Sequence, residues 1–309
     1  MTATSHDSGG VPSEGELGAL FEEVKNWGRW GWDDEKGTLN HVTPAHTLRA
    51  ISLVRTGRVV STAFDLDTER SAKNYFPTVH RMLFKGFDRP DTAVDQVTIV
   101  PHSFTVTHID AVSHSNYGGV LYNGRAAEAV VQRTGLQSGS VLAAKDGIVT
   151  RGVLLDIPAS LGRGWLEPYE YITEADLDAA AEWAGLDVGA GDVVLVRSGL
   201  GAREAASGVE DINRRAGLSP ACVRWLRRRD VAVYGGDCFE RLPLPYTEHP
   251  WAFHQIAQAS VGLILLDNVD LEALAAACAE ESRWEFLYII SPLRLPGGTG
   301  SAVNPLAVF

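Results

Sequence analysis

Apolar positions along the chain follow two periods. Leu17, Leu20, Phe21 and Val24 stand three and four residues apart, the spacing of one face of a helix. A second helix is predicted behind Thr43-Pro44, an N-cap followed by a proline at the first helical position, with Leu48, Ile51 and Val54 as its buried stripe. Gly57 ends it, and residues 59–64 read as a strand. Short apolar runs at 153–157, 193–196, 231–234, 263–266 and 286–290 have the character of buried strands. Helices predicted over 173–184, after Ser219-Pro220, from 249 onward and over 271–281 lie between the later runs. This alternation predicts an α/β fold, and 309 residues with 45% hydrophobic content suit a single compact domain.

The remaining stretches are polar or punctuated by turns. Residues 1–14, almost without apolar content, predict a disordered leader to a domain spanning 15–309. Residues 67–95, charged and interrupted by Pro77 and Pro90, predict a long surface excursion. Its Arg81 suits a carboxylate or carbonyl of a substrate. Trp27, Trp30 and Trp32 cluster as either a lid on the core or a wall of a substrate pocket. Tyr122-Asn123-Gly124 marks a turn. Asp237, after Gly235-Gly236, stands at the strand-end rim where open α/β sheets place ligands, or in a plain turn. The Gly-rich stretch 297–300 lacks the Lys and the strand-to-helix setting of a phosphate loop.

A formal net charge of −12 argues against nucleic acid or an anionic membrane as partner and leaves a small molecule as the expected substrate. No apolar run approaches the ~20 residues of a membrane span, and the first residues lack signal-peptide character, so a cytoplasmic location is expected. Cys222, Cys238 and Cys278 are too few and too scattered for a disulfide framework and read as buried thiols, with a nucleophilic Cys238 as the rarer alternative.

The chemistry concentrates in 102–114. A β-branched start at 97–100 predicts extended chain running into it, and His102, His108, Asp110 and His114 all stand at even positions, so along a strand they share one face. Imidazole and carboxylate two residues apart, as in His108-x-Asp110, suit a divalent metal such as zinc or manganese. A further ligand must come from elsewhere, and His254 with Asp267 is the best second cluster. His114 is placed to move a proton beside the metal.

Residues 107–114 resemble the His-x-Gly-Thr-His-x-Asp-x-x-x-His signature of the cyclase-like metal hydrolases, the family of bacterial kynurenine formamidase and isatin hydrolase. The likeness extends through 26–40, 122–124, 254–268 and 297–305, as in the longer branch of that family. The resemblance implies a swivelling β/β/α fold, a homodimer or homotetramer with sites near subunit contacts, and hydrolysis of an amide or lactone by metal-activated water. By position, His108 and Asp110 match metal ligands, His114 the catalytic histidine and His254 a later ligand. Asp267 stands one residue beyond the place of a family glutamate, so Gln255 could take that ligand place instead.

Two departures matter. Phe104 stands where two-metal relatives carry a histidine, Val106 replaces the signature glycine, and His102 comes two residues too early to substitute without a shift in the strand. The expectation is therefore one divalent ion per chain, zinc or manganese. Trp27, Trp30, Phe104, Arg81, Asn123 and Asp237 are the expected substrate-binding residues. Ring closure or dehydration of a polyketide-like intermediate is the alternative reaction, and a non-catalytic binding module the alternative class.

Overall fold

The computed structural model describes residues 10–84, 92–208 and 213–309. Nine strands form one sheet: β1 (Val59–Ser61), β2 (His108–Asp110), β3 (Ile148–Asp156), β4 (Val193–Arg197), β5 (Val233–Gly236), β6 (Ile264–Asp267), β7 (Glu285–Ile290), β8 (Gly300–Ala302) and β9 (Leu306–Val308). They lie in the order β1-β9-β7-β3-β4-β5-β6-β2-β8. The four central strands β3 to β6 are parallel, and every other pairing is antiparallel.

Four of the five apolar runs become the parallel centre, with both of their faces covered, while 286–290 becomes the antiparallel β7; the two-residue period of a strand divides each run between two cores. Val153, Leu155, Val194, Val196, Tyr234 and Leu265 face one core, where they meet Leu17, Leu20 and Phe21 of helix α1 (Leu17–Glu23). Leu154, Val193, Leu195, Val233, Ile264 and Leu266 face the other, with Leu274, Phe286 and Tyr288. The remaining longer helices are α2 (Pro44–Ile51), α3 (Glu174–Trp183), α4 (Leu200–Ser207), α5 (Cys222–Arg228), α6 (Ala252–Ile256) and α7 (Glu272–Glu281). The result is the single α/β domain expected, with a mixed sheet at its centre.

Three local expectations are corrected. Helix α2 exists, but Leu48 and Ile51 are 68% and 49% exposed. The helix turns Ala50 inward and Thr47 Oγ1 donates to Val149 O, so small residues set its approach to β3. The excursion at 67–95 contains a hairpin, Val79–Phe84 against Ala93–Thr98, whose second strand is exposed throughout. That hairpin also claims Val97 and Thr98, the first half of the β-branched stretch at 97–100. Extended chain therefore does not run from 97 to 114: residues 101–106 bend, and strand resumes only at β2. Of the expected leader, residues 1–9 lie outside the described residues, while Gly10 O accepts from Ser219 Oγ and Pro12 O from Tyr246 Oη.

Candidate metal centre

Strand β2 carries the first part of the site. Its alternation buries Ile109 in the core and turns His108 and Asp110 to the opposite face, and its antiparallel register sets His108 beside Asp267, the last residue of β6. His108 Nδ1 lies 2.8 Å from Val106 O, an atom that can only accept, so Nδ1 carries a proton and Nε2 is the nitrogen that faces the carboxylates. That Nε2 stands 3.5 Å from Asp110 Oδ1 and 3.9 Å from Asp267 Oδ2.

Helix α6 brings the second part. His254 Nδ1 lies 2.8 Å from both carboxylate oxygens of Glu240, of which Oε1 also accepts the His254 backbone N–H, and its Nε2 is 3.1 Å from Asp267 Oδ2. Burial alone would depress the His254 pKa, but Glu240 and Asp267 outweigh it and hold it well above the usual range. One turn further, Gln258 Nε2 donates to Asp110 Oδ2 at 3.1 Å and Oε1 accepts from Ser115 N.

The bend at 101–106 returns His102 to the same place. Its Nδ1 is 3.0 Å from Asp110 Oδ1, its Nε2 is 2.9 Å from Thr299 Oγ1, and its ring stacks on that of His114. His114 Nε2 stands 3.9 Å from Asp110 Oδ2. Burial works to raise the Asp110 pKa, yet His114, His102 and His108 together hold it well below the ordinary carboxylate range. Burial is the first cause of the lowered His114 pKa, which the Asp110 charge only partly offsets.

Three buried atoms in this cluster make no well-aligned hydrogen bond: Asp267 Oδ1, and Asp110 Oδ1 and His102 Nδ1, which face each other at 3.0 Å. A buried acceptor left unsatisfied costs about 1–3 kcal/mol, more when charged, so several converging on one spot call for a cation. Two ligand sets suit one, His102 with His108 and Asp110, and Asp110 with His254 and Asp267, and they share Asp110. Imidazole and carboxylate donors of this kind fit zinc or manganese.

A cavity of about 260 Å³ opens above the cluster, walled by Phe104, Arg215, Leu242 and Trp251. His108, His114, His254 and Asp267 also line it, with Asp110 buried beneath at 1% exposure. Of the expected substrate contacts only Phe104 is there. Trp27 Nε1 donates to Ala259 O and Trp30 packs edge-on to His41, so the tryptophan block closes over the core. Asn123 holds that block, accepting from Gly28 N and donating to Gly31 O. Asp237 accepts three backbone N–H groups, from Ser198, Gly199 and Leu200, which makes it the anchor of the loop leading into α4. Arg81 projects from the exposed hairpin. Gln255 is about 100° around the helix from His254 and lies outside the cavity lining; the glutamine that reaches the site is Gln258, at the i+4 position. Cys238 borders the cavity, but its thiol donates to Ala216 O and burial pushes its pKa up to about 12, which removes it as a nucleophile.

The sequence reading passed over Glu240, Gln258, Thr299 and Arg215. Helical spacing from His254 would have pointed to Gln258, whereas nothing in the sequence signals Thr299.

Comparison with known proteins agrees with this architecture. Residues 32–240 match the family described as "Putative cyclase". No curated protein matches the chain. The crystal structure of a novel cyclase is similar over 94% of this chain and 99% of its own, with 29% identity and a TM-score of 0.83. An isatin hydrolase bound to the product analogue thioisatinate is similar over 86% of this chain and 98% of its own, with 17% identity and a TM-score of 0.59. A metal-dependent hydrolase, so described by prediction, from Bacillus stearothermophilus is similar over 81% and 97%, with 16% identity and a TM-score of 0.50. At these identities the last two share the fold. The match over residues 32–240 places this chain in the cyclase family.

Proposed function

We propose that the protein is a metal-dependent hydrolase that cleaves an amide or lactone carbonyl of a small, ring-containing substrate. The observation that carries the reading is the convergence of His102, His108, Asp110, His254 and Asp267, with two buried carboxylate oxygens that accept no well-aligned hydrogen bond, at the base of an apolar-walled cavity. His108, Asp110, His254 and Asp267 would hold one divalent ion, zinc or manganese, since two carboxylates balance the charge of one such ion. Bound there, the ion would supply Lewis acidity toward a carbonyl and acidify a water molecule.

The chain's own residues supply the rest. Glu240 and Val106 O fix the ring orientations of His254 and His108, so that both present Nε2 to the same point. His114 lines the cavity beside Asp110, where it would take a proton from water and deliver it to the leaving group. Phe104, Leu242 and Trp251 exclude bulk water and accept a flat, apolar body.

The test is hydrolysis of a panel of lactones, cyclic imides and N-formyl aromatics by wild type and His114→Ala, with and without chelator. Turnover that falls with chelator and with the substitution supports the reading. If the purified protein binds no divalent metal and the two proteins behave alike on every compound, the reading fails.

A further inference from the structure

Arg197 and Arg215 are the two buried arginines among the described residues, and only Arg215 lacks a carboxylate partner. The half-buried Arg241 also has an unpartnered Nε, but it lies over the Tyr171 ring and outside the cavity. Arg215 is 5% exposed and lines the cavity, its Nε is buried without a hydrogen-bond partner, and no ion pair joins it to a carboxylate among the described residues. Arg197, comparably buried, pairs with both Asp156 and Glu272, and Arg151 pairs with both Asp192 and Glu285. In a chain of net charge −12 carboxylates are plentiful, so an unpaired buried guanidinium is a costly feature that folding alone does not account for. Glu240, which shares the cavity wall, is committed to His254 through both of its oxygens. The Cys238 thiol, also at the wall, stays neutral because burial raises its pKa.

The side chain's root is firmly held. Arg215 exchanges two backbone hydrogen bonds with Leu242, and its guanidinium lies 5.5 Å from the centroid of the Phe104 ring. Phe104 neighbours Trp251 at 6.5 Å between centroids, and Trp251 neighbours His254 at 6.3 Å. A row of aromatic surface therefore connects the guanidinium to the metal-binding cluster. The Phe104 face gives the cation partial compensation but accepts none of its N–H groups in the way a carboxylate would.

We infer that Arg215 recognises a free carboxylate on the substrate, so that the protein acts on anionic, ring-bearing amides or lactones whose carboxylate sits at the far side of the ring from the scissile carbonyl. The position of that carbonyl rests on the hydrolase reading proposed above; the carboxylate preference does not. The fork of the guanidinium matches two carboxylate oxygens, and desolvation in the cavity strengthens the pair.

Two matched probes test this, 4-formamidobenzoate and its neutral counterpart 4-formamidobenzamide. Their binding to the metal-loaded protein is measured by calorimetry, and their hydrolysis to formate and the free amine by kcat/KM. Wild type is expected to favour the acid by at least about tenfold. Arg215→Gln removes the preference, and Arg215→Lys keeps part of it, since the charge remains and the fork is lost. Equal binding of the two probes by wild type, absence of binding by either, or a preference that survives in Arg215→Gln overturns the inference. The wild-type comparison stands even if a variant fails to fold. Acid-selective binding without turnover of either probe would leave Arg215 its role and remove N-formyl anilides from the substrates of the proposed hydrolase. Turnover of both at equal kcat/KM would do the reverse.

Discussion

His102 lies flat on His114, with ring centroids 3.8 Å apart and planes 6° from parallel. The same His102 ring points Nδ1 at Asp110. One imidazole thus braces the proposed proton carrier and stands against Asp110, one of the proposed ligands of the ion. Two substitutions separate these contributions. His102→Phe keeps the stack and loses the nitrogen, so it should weaken zinc binding by roughly 10–100-fold, the scale of losing one group around a metal, and leave kcat of the metal-saturated protein close to wild type. His102→Ala should weaken zinc binding equally and also lower kcat. Competition with a chromophoric chelator, followed by kinetics at saturating metal, reads both.

Glu240 touches no proposed reacting atom, yet it orients His254 with hydrogen bonds at 2.8 Å. Glu240→Gln can present either its amide N–H or its carbonyl to His254 Nδ1, and the loss of the charge makes Nε2 a poorer donor. The expected result is a roughly 10–100-fold loss of metal affinity with the far-ultraviolet circular dichroism unchanged.

The number of ions is open to direct titration. Asp110 belongs to both possible ligand sets, so Asp110→Asn should abolish tight binding altogether. For wild type the charge balance of Asp110 and Asp267 predicts one tight equivalent per chain. Two tight equivalents by elemental analysis after desalting would show that the second ligand set is filled as well.

These ligand sets mark where the sequence was informative and where it was not. The central strands were legible because a continuous apolar run such as Val193 to Val196 is the mark of a strand covered on both faces, as in the centre of an α/β sheet. His108 and Asp110 were legible because strand parity is local. His102 was not, because it reaches Asp110 through a bend that parity cannot describe, and the one-ion argument built on Phe104 loses its premise when an imidazole arrives from two residues earlier. Asn123 and Asp237 misled for a shared reason: a polar side chain that ties backbone N–H groups in a loop is indistinguishable in sequence from one that waits for a ligand. Arg215 was overlooked because its missing counterion is a property of the packed structure.

His41 gives the fold a pH dependence away from the cavity. Burial lowers its pKa from 6.5 to about 4, with Asp230 opposing and Arg29 and Arg227 adding to the shift. A histidine held neutral by folding takes up a proton more readily when unfolded. Its stabilising contribution is therefore complete above the unfolded pKa near 6.5 and declines as pH falls from there toward about 4. The Tm of wild type should drop further between pH 7 and pH 5 than the Tm of His41→Gln, as measured by calorimetry at matched ionic strength. Equal drops would remove His41 from this role.

Gly37 meets Gly262 across the core, and a Cβ on Gly37 would stand 2.0 Å from Gly262 O, at a backbone φ of +55° that favours glycine. Gly37→Ala is expected to cost about 2–4 kcal/mol, read as a lowered denaturant midpoint.

The most direct test of the central claim is the rate of hydrolysis of an N-formyl aromatic or lactone by protein stripped with chelator and then titrated with zinc or manganese. Activity is expected to disappear on stripping and to return in proportion to bound metal, saturating at one equivalent in wild type and failing to return in Asp110→Asn. Activity that persists in protein shown by elemental analysis to be free of metal would contradict that claim.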